Sequence, residues 1–482
     1  DVLLASLGDL SRADTTSIRV VESREKEKVV AYLKSSNKNT FITGKAGTGK
    51  SYLLGQIVES LEDVSLAVVA PTGVAALNVD GETIHSFFGM GIGVLVFDMS
   101  WLRSVSAKVL KKLNALDLLI IDEVSMVGPD MIDSIDAMLR LAKESHVPFG
   151  GVRVIMFGDL LQLKPVEVKE AEVKAKLRER YGSYWFFNAL VWREAEFEVL
   201  ELNDVERQKG DEEFIQVLSD IRDGAVQSAQ LDYLNKRVKA PVRQGANPIR
   251  LVKTNKKVAE YNESKMAALD GDSKVFVGVE TAIVEGEDLS KVEWPVDGYL
   301  ALKVGAQVMF AKNDDFEKGP GFDQRKEREL RTTRRWVNGT LGVITAFTET
   351  GVMVRIGLDA PIEVKPSTWE LIKHRITEVE DDDTKKRSTR LKPVVVASYT
   401  QIPLKPAWAV TIHKAQGKTY DDVIVDLGGP YNNPGQAYVA LSRVKQIEGM
   451  TLSEPLTMAQ IAVDSDAKFF MESRLIRKAS DL

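Results

Sequence analysis

The sequence predicts an α/β protein, with parallel sheets flanked by helices toward both ends and a β-rich insertion between them. Three observations carry this. Short continuous apolar runs at 66–70, 118–121, 152–157 and 199–202 each end in a polar loop, and runs of that length suit strands covered on both faces. A glycine-rich stretch, GKAGTGKS at 44–51, stands between a strand-like run at 40–43 and a helical pattern beginning near Ser51. Between about 270 and 404 the pattern changes. Short β-type runs at 275–279, 307–310, 342–347, 352–356 and 393–398 are separated by Gly, Pro, Asp and Asn, the spacing of a small antiparallel barrel. After 405 the first style resumes, with apolar runs at 407–412 and 423–427.

Composition sets the outer limits. A chain of 482 residues is too long for one ordinary domain. With 44% hydrophobic and 28% charged residues it forms cores and is not a disordered chain. The absence of cysteine removes disulfides, thiolate metal sites and cysteine nucleophiles. No apolar run approaches the ~18 residues that span a bilayer, so no membrane partner is expected. The first residues lack the charged-then-apolar layout of a secretion signal, and the opening Asp1 suggests trimming or processing. An intracellular setting follows: cytoplasm or nucleoid in a bacterium, the favoured source, and nucleus or mitochondrion otherwise. The net charge of −6 argues against a protein that coats nucleic acid, since counterion release needs clustered positive charge. It leaves room for a grip in one local groove. Two charge-rich stretches, 323–335 and 378–392, are expected to be solvated loops.

The strongest motif is the glycine-rich loop. Gly44, Ala46, Gly47, Thr48 and Gly49 match a turn whose amides converge on an anion, reinforced by the positive end of the following helix. Lys50 would reach the β- and γ-phosphates, and the Ser51 hydroxyl would ligate Mg²⁺. Those are the parts of a nucleoside triphosphate site. The run 118–121 is tipped by Asp122 and Glu123, suited to orienting the metal and polarising an attacking water. A third strand leads to FGDLLQLKPV at 157–166, where Gln162 can hydrogen-bond both a phosphate oxygen and a water.

These segments resemble a known family. The set is GKAGTGKS (44–51), APTGVAA with GETIHSFF (70–88), IIDEVSM (120–126), FGDLLQLKPV (157–166), ERQKGDEEFIQVLSDIRDG (206–224), LKVGAQVM (302–309), VNGTLGV (337–343), AVTIHKAQGKTYDDV (409–423) and AYVALSR (437–443). Their identity and order are similar to the PIF (petite integration frequency) group of superfamily-1B DNA helicases, relatives of the RecD-like helicases. The resemblance covers most of the chain, and TIHKAQG with AYVALSR is specific to this group.

The resemblance implies two RecA-like domains with one ATP and Mg²⁺ between them. The first, 1A, would span 1–200, with a short duplex-splitting wedge (1B) around 89–106. The second, 2A, would comprise 201–269 and 405–482, and an inserted SH3-like 2B barrel would occupy 270–404. Arg207 and Arg443 resemble arginine fingers, which stabilise charge on the transferring phosphoryl group when the domains close. Gly417 and Thr419 resemble the motif that links the ATP and DNA sites. Pro71, Thr72, Gly73, Thr83, His85, Thr254, Asn255, Asn338, His413 and Lys414 resemble positions along a single-strand track, where phosphates are held without reading bases. Phe87 and Phe88 are either core or a stacking surface, and Phe87 is carried as the DNA-facing candidate.

The implied activity is ATP-driven 5′-to-3′ movement on single-stranded DNA with unwinding of duplexes and forks. The protein would be a monomer in solution, with dimerisation on DNA as an option. A nucleotide-gated binding module that does not unwind, and an RNA-directed translocase, are the competing readings. Two departures from the family stand out. Its upstream adenine-reading glutamine has no counterpart before Gln56, and the expected region, 22–27, is charged. Either adenine selectivity is looser or a backbone contact replaces it. Lys164 also stands where the family usually has proline.

Overall fold

The computed structural model of the chain describes residues 24–482 except 62–63, 91–98, 166–170, 204–210, 245, 285–288, 291, 293, 315–334, 381–386, 430–432 and 474–475. The first unit is built on a parallel sheet of seven strands. Its centre is β1 (Thr40–Gly44), flanked by Glu198–Leu202 and Arg153–Phe157, with Leu118–Ile121, Leu66–Ala70 and Glu82–Thr83 continuing outward. The apolar runs alternate between two cores. Phe41, Ala67, Val69, Leu119, Ile121, Val154 and Met156 enter one. Ile42, Val68, Leu118, Ile120, Ile155 and Phe157 enter the other. Both faces are thus covered, which is why Leu66–Ala70 and Leu118–Ile121 are written entirely in apolar residues and their neighbours largely so. Each such side chain contributes roughly 1.5–3 kcal/mol by leaving water.

The second unit has a smaller parallel sheet in the order Ala409–Thr411, Ile249–Val252, Val423–Val425, Met450–Leu452. Its core joins Phe214, Leu218 and Ile221 of the helix Glu212–Asp223 to Tyr438 and Leu441 of the helix Gln436–Leu441. Between the two halves of this unit the chain forms antiparallel sheets. Five strands run Ile362–Val364, Val352–Arg355, Leu341–Phe347, Gln307–Phe310, Leu404–Pro406, and a two-stranded pair joins Lys274–Val277 to Tyr299–Leu302. A third sheet is dominated by a long hairpin, Ser367–Glu380 with Arg387–Gln401, edged by Val279–Ala282. The hairpin lies against the first unit's helix Ala107–Asn114.

Two expectations change. The stretch 378–392 is not a loop along its whole length: strand pairing runs out to Glu380↔Arg387, because backbone hydrogen bonds hold a ladder that local composition does not advertise. The stretch 323–335 lies outside the described residues except for Arg335, which pairs bidentately with Asp314 at 2.8 and 2.9 Å. The tail does not stay with the second unit. Its strand Ile476–Lys478 adds beside Glu198–Leu202 at the edge of the first sheet, so the expected boundary that placed all of 405–482 in the second unit is corrected. The helix Ser465–Met471 returns the chain there. Its Phe470 stacks on Phe187 at 4.3 Å between centroids and sits 6.5 Å from Phe41, while Trp185 Nε1 donates to Asp464 at 2.8 Å. Of the wedge region, 91–98 lie outside the described residues, and Trp101, Leu102 and Val105 pack on the first core. Among the described residues no helix is long and apolar enough to cross a membrane.

The tail contact has a direct test. Phe470→Ala removes a ring from an aromatic cluster and is expected to cost about 2–3 kcal/mol in urea unfolding. Its neighbour Phe469, 78% exposed, should tolerate the same change within ~0.5 kcal/mol. Equal effects of the two substitutions would contradict the docking described.

Candidate active site

The carboxyl end of β1 leads straight into the glycine-rich loop, the place where parallel sheets present ligand-binding loops. A Cβ on Gly44 would lie 2.8 Å from the Leu202 carbonyl oxygen and 2.9 Å from Thr48 Oγ1, so no side chain fits. Gly47 and Gly49 hold φ of 86° and 79°, a left-handed geometry that turns amides toward one centre. The helix Lys50–Ser60 starts at once, with no side chain capping its first amides. Lys50 Nζ donates to the carbonyls of Gly44 (2.7 Å) and Lys45 (3.1 Å). Burial pushes its pKa below the ordinary lysine value, while the charges of Asp159 and Glu123 pull the other way.

The strand Leu118–Ile121 delivers Asp122 and Glu123 beside this loop. Glu123 sits in the left-handed region at φ 50°, a conformation that costs a non-glycine residue on the order of 1 kcal/mol. That turn sends its carboxylate into the cleft, where Gln416 Nε2 of the second unit donates to it at 3.2 Å. Burial raises the pKa of both carboxyls, and for Glu123 the Asp122 charge adds to the rise. A nearby cation would reverse that, so the pair is poised to accept one.

Arg153–Phe157 leads into the third loop. Asp159 is buried. Its Oδ2 accepts from Gln162 Nε2 at 2.8 Å, and its Oδ1 accepts from the Leu161 amide at 3.2 Å. Burial alone would raise the Asp159 carboxyl, yet the Arg222 guanidinium and then the Lys50 ammonium hold it below the ordinary carboxylate range.

The second unit closes the other side. Lys45 Nζ donates to Ser219 Oγ at 2.6 Å, and the Ala46 amide donates to the Tyr438 hydroxyl at 3.0 Å. Gly435 permits this approach: a Cβ there would fall 1.9 Å from the Gln162 carbonyl oxygen. Arg443, 1% exposed, donates to the carbonyls of Val439 (2.7 Å) and Lys418 (3.0 Å) and to Ser442 Oγ (2.7 Å). Its charge reaches Glu123, whose pKa it lowers.

The donor set fits a nucleoside triphosphate with magnesium. It combines a left-handed glycine cradle, a lysine at its base, a hydroxyl at Ser51, the buried carboxyl of Asp122 and the half-buried one of Glu123. Among the described residues no three His, Asp or Glu side chains form a metal cage, so a magnesium ion here would draw most of its shell from phosphates and water.

The other sequence candidates occupy several different settings. Thr72, Thr83 and Thr254 are N-caps, accepting from the amides of Ala75, Ser86 and Lys257 at 3.2, 3.3 and 3.3 Å. Pro71 and Gly73 flank the first cap and Asn255 opens the helix Asn255–Ala267. Thr72, Thr254 and His413 each follow the carboxyl end of a parallel strand. Lys414 is exposed, Gly417 is left-handed at φ 77°, and partial burial of the ring lowers the pKa of both His85 and His413. Asn338 bridges units, donating to Asn78 Oδ1 at 3.2 Å and facing Lys418 Nζ at 3.3 Å. Phe87 is corrected: it and Phe88 are fully buried, 5.1 Å apart edge to face, and no base can reach Phe87. The Lys112 ammonium caps that ring at 4.1 Å and also donates to the Phe87 carbonyl. Arg207 lies outside the described residues. In the charged upstream region, Glu25 accepts from the Asn203 amide at 3.1 Å, and Lys26 is buried with its ammonium 5.8 Å from the Tyr52 ring.

With this geometry established, relatives can be compared. The family described as PIF1-like helicase matches residues 23–232. The ATP-dependent DNA helicase Pif1 of Bdellovibrio bacteriovorus is 32% identical over 452 residues, covering 94% of this chain and 92% of that one. The chain belongs to the PIF1-like helicase family. The Xenopus laevis ATP-dependent DNA helicase PIF1 is 31% identical across 94% of this chain, but this PIF1-like chain spans only 64% of that protein. Bacteroides sp. Pif1 in complex with ADP-AlF4 matches with a TM-score of 0.79 and 33% identity over 93% of this chain and 96% of that one. The same Bacteroides protein bound to single-stranded DNA matches at 0.62, with the same identity and shares.

Sequence reasoning missed Asp159, Arg222, Gln416 and Tyr438 of this PIF1-like site. All four lie inside quoted motifs, yet only their cross-cleft contacts reveal what they touch.

Lys418 offers a pH test of the seam around the site. Its ammonium lies 3.8 Å from Met309 Sδ, and burial, then the Lys405 charge, lower its pKa from 10.5 to about 7. Between those values the folded chain holds fewer protons than the unfolded one, so this group makes stability rise with pH; below about pH 7 its full penalty is present. Lys418→Met should therefore stabilise the chain at about pH 6 by on the order of 1–2 kcal/mol and by little near pH 10. Urea melts at both pH values check this; a gain independent of pH would refute it.

Proposed function

We propose that this chain is an ATP-dependent DNA helicase that hydrolyses ATP at the glycine-rich loop and moves 5′ to 3′ along single-stranded DNA, unwinding duplexes and forks. The observation that carries the reading is the meeting of the two parallel-sheet units across that loop, where Ser219 and Tyr438 of one touch Lys45 and Ala46 of the other. A triphosphate seated there would contact both units, so binding and loss of its terminal phosphate would change how they sit together. The family named for the relatives above supports DNA as the partner, and the Bacteroides complexes are with ADP-AlF4 and with single-stranded DNA.

In this reading the amides from Ala46 to Ser51 hold the phosphates and Lys50 releases its carbonyls to bind the terminal ones. Ser51 and Asp122 would hold magnesium, which would supply charge neutralisation there. Glu123 accepts a proton from the attacking water and Gln162 orients that water. Arg443 and Arg207 come from the second unit to meet charge on the transferring group. Arg443 would exchange a carbonyl for a phosphate oxygen, a stronger acceptor. The capped helix starts at Thr72, Thr83 and Thr254, with Asn255, His85, Asn338, His413 and Lys414, form the single-strand track. They contact phosphates and therefore accept any sequence. The antiparallel insertion acts as the SH3-like 2B barrel over that track, and 89–106 as the wedge.

Lys50→Ala is expected to lower DNA-stimulated ATP hydrolysis by roughly 100-fold or more, by analogy with loss of one preorganised charge contact, while single-strand binding persists. The measurement is phosphate release with and without a single-stranded oligonucleotide, then unwinding of a 5′-tailed against a 3′-tailed duplex. Hydrolysis indifferent to DNA would favour a nucleotide-gated binding module, and unwinding of the 3′-tailed substrate would reverse the polarity.

A further inference from the structure

Arg222 is absent from the roles assigned above, yet it is a buried charge that crosses the cleft. It occupies the last turn of the helix Glu212–Asp223 in the second unit. Its NH2 reaches Asp159 Oδ1 of the first unit at 3.2 Å, and both residues are buried, at 3% and 2% exposure. Among the described residues its Nε has no hydrogen-bond partner, so the group is held by the carboxylate rather than by a web of carbonyls such as surrounds Arg443. NH1 donates outward, to Asp223 at 3.2 Å.

Asp159 is the pivot. One carboxylate oxygen takes Arg222 and the Leu161 amide; the other takes the Gln162 side-chain amide at 2.8 Å. Lys50 lies within electrostatic reach of the same carboxylate. Two cations therefore compete for one buried anion. If Arg222 withdraws, Asp159 is left uncompensated in a buried site, and Lys50 is the remaining charge that can turn to it. A lysine so engaged is lost to a phosphate, and the carboxylate that orients Gln162 turns with it.

Resting on the helicase reading, we propose that Arg222 is a positioning residue: its cross-cleft bond to Asp159 fixes Gln162 for hydrolysis and leaves Lys50 to the nucleotide only while the two units are closed. The ion pair thereby reports closure to the γ-phosphate side of the site. Arg222 itself touches no reacting atom.

The test is steady-state ATP hydrolysis by the full chain with saturating single-stranded DNA, alongside equilibrium binding of a fluorescent ATP analogue and thermal melting. Arg222→Ala should lower kcat by roughly 100-fold, the size of loss that misplacement of a reacting group brings, while analogue affinity and KM, which diversion of Lys50 also weakens, change by clearly less, about 10-fold at most. Arg222→Gln, milder for folding, should behave alike. Arg222→Lys should recover roughly a tenth of wild-type turnover or more, because charge is restored without the fork geometry. Adding Asp159→Asn to Arg222→Ala should cause little further loss, since both act through one carboxylate. Wild-type turnover in Arg222→Gln overturns the proposal. So does a fall in turnover matched by equal loss of analogue affinity, with Arg222→Lys no better than Arg222→Ala. If the unaltered chain shows no DNA-stimulated hydrolysis, the helicase reading itself fails, a result distinct from failure of the variants.

Discussion

The arrangement depends on one constraint: a loop of glycines, too tight for any Cβ at Gly44, is pressed between the sheet that makes it and two helices of another unit. Every polar group around it answers to that confinement. Lys50 folds back on carbonyls, the two carboxylates after Leu118–Ile121 are buried enough to resist ionisation, and Asp159 keeps its charge only because Arg222 and Lys50 flank it. In water each of these groups would be unremarkable. In a buried seam their protonation and orientation are set by one another, so a shift of either unit is felt by all of them.

Much of this could be read along the chain. The loop at 44–51, the strand ends at Asp122 and Gln162, and the change of style between 270 and 404 are local signals, since each depends on consecutive residues whose periodicity matches their environment. The strands Gln307–Phe310 and Leu118–Ile121 fall where their apolar runs put them. What could not be read is whatever depends on distance in sequence. Arg222 and Asp159 are separated by 63 positions, and neither carries a mark that it will meet the other. Phe87 shows the opposite failure: an aromatic beside a motif histidine invites a role in stacking, and only packing against Phe88 reveals a core residue. The stretch 378–392 looked solvated because charge was counted, whereas pairing across the hairpin is set by partners on the other strand.

The second unit contributes in two ways. Its helices supply Ser219, Arg222 and Tyr438 to the nucleotide side, and its loop at 413–419 supplies Gln416 to Glu123 and Lys418 to the seam with Asn338. Arg443 joins these sides, because its guanidinium holds the Lys418 carbonyl while its charge reaches Glu123. The turn between Ala415 and Tyr420 is therefore in contact with the nucleotide side through Gln416 and Arg443 and with the antiparallel insertion through Lys418 and Tyr420.

The return of the chain to the first sheet fixes how such a body can move. Because Ile476–Lys478 closes the edge beside Glu198–Leu202, the second unit is an excursion anchored at both ends, tethered by the outgoing segment near 203 and the incoming one near 464. Two tethers on the same neighbour restrict swivelling far more than one, and favour opening along a single arc. A dye or affinity handle joined after Leu482 would accordingly travel with the lobe that cradles phosphate, and distance measurements taken from it would register that lobe, not the one whose sequence immediately precedes it.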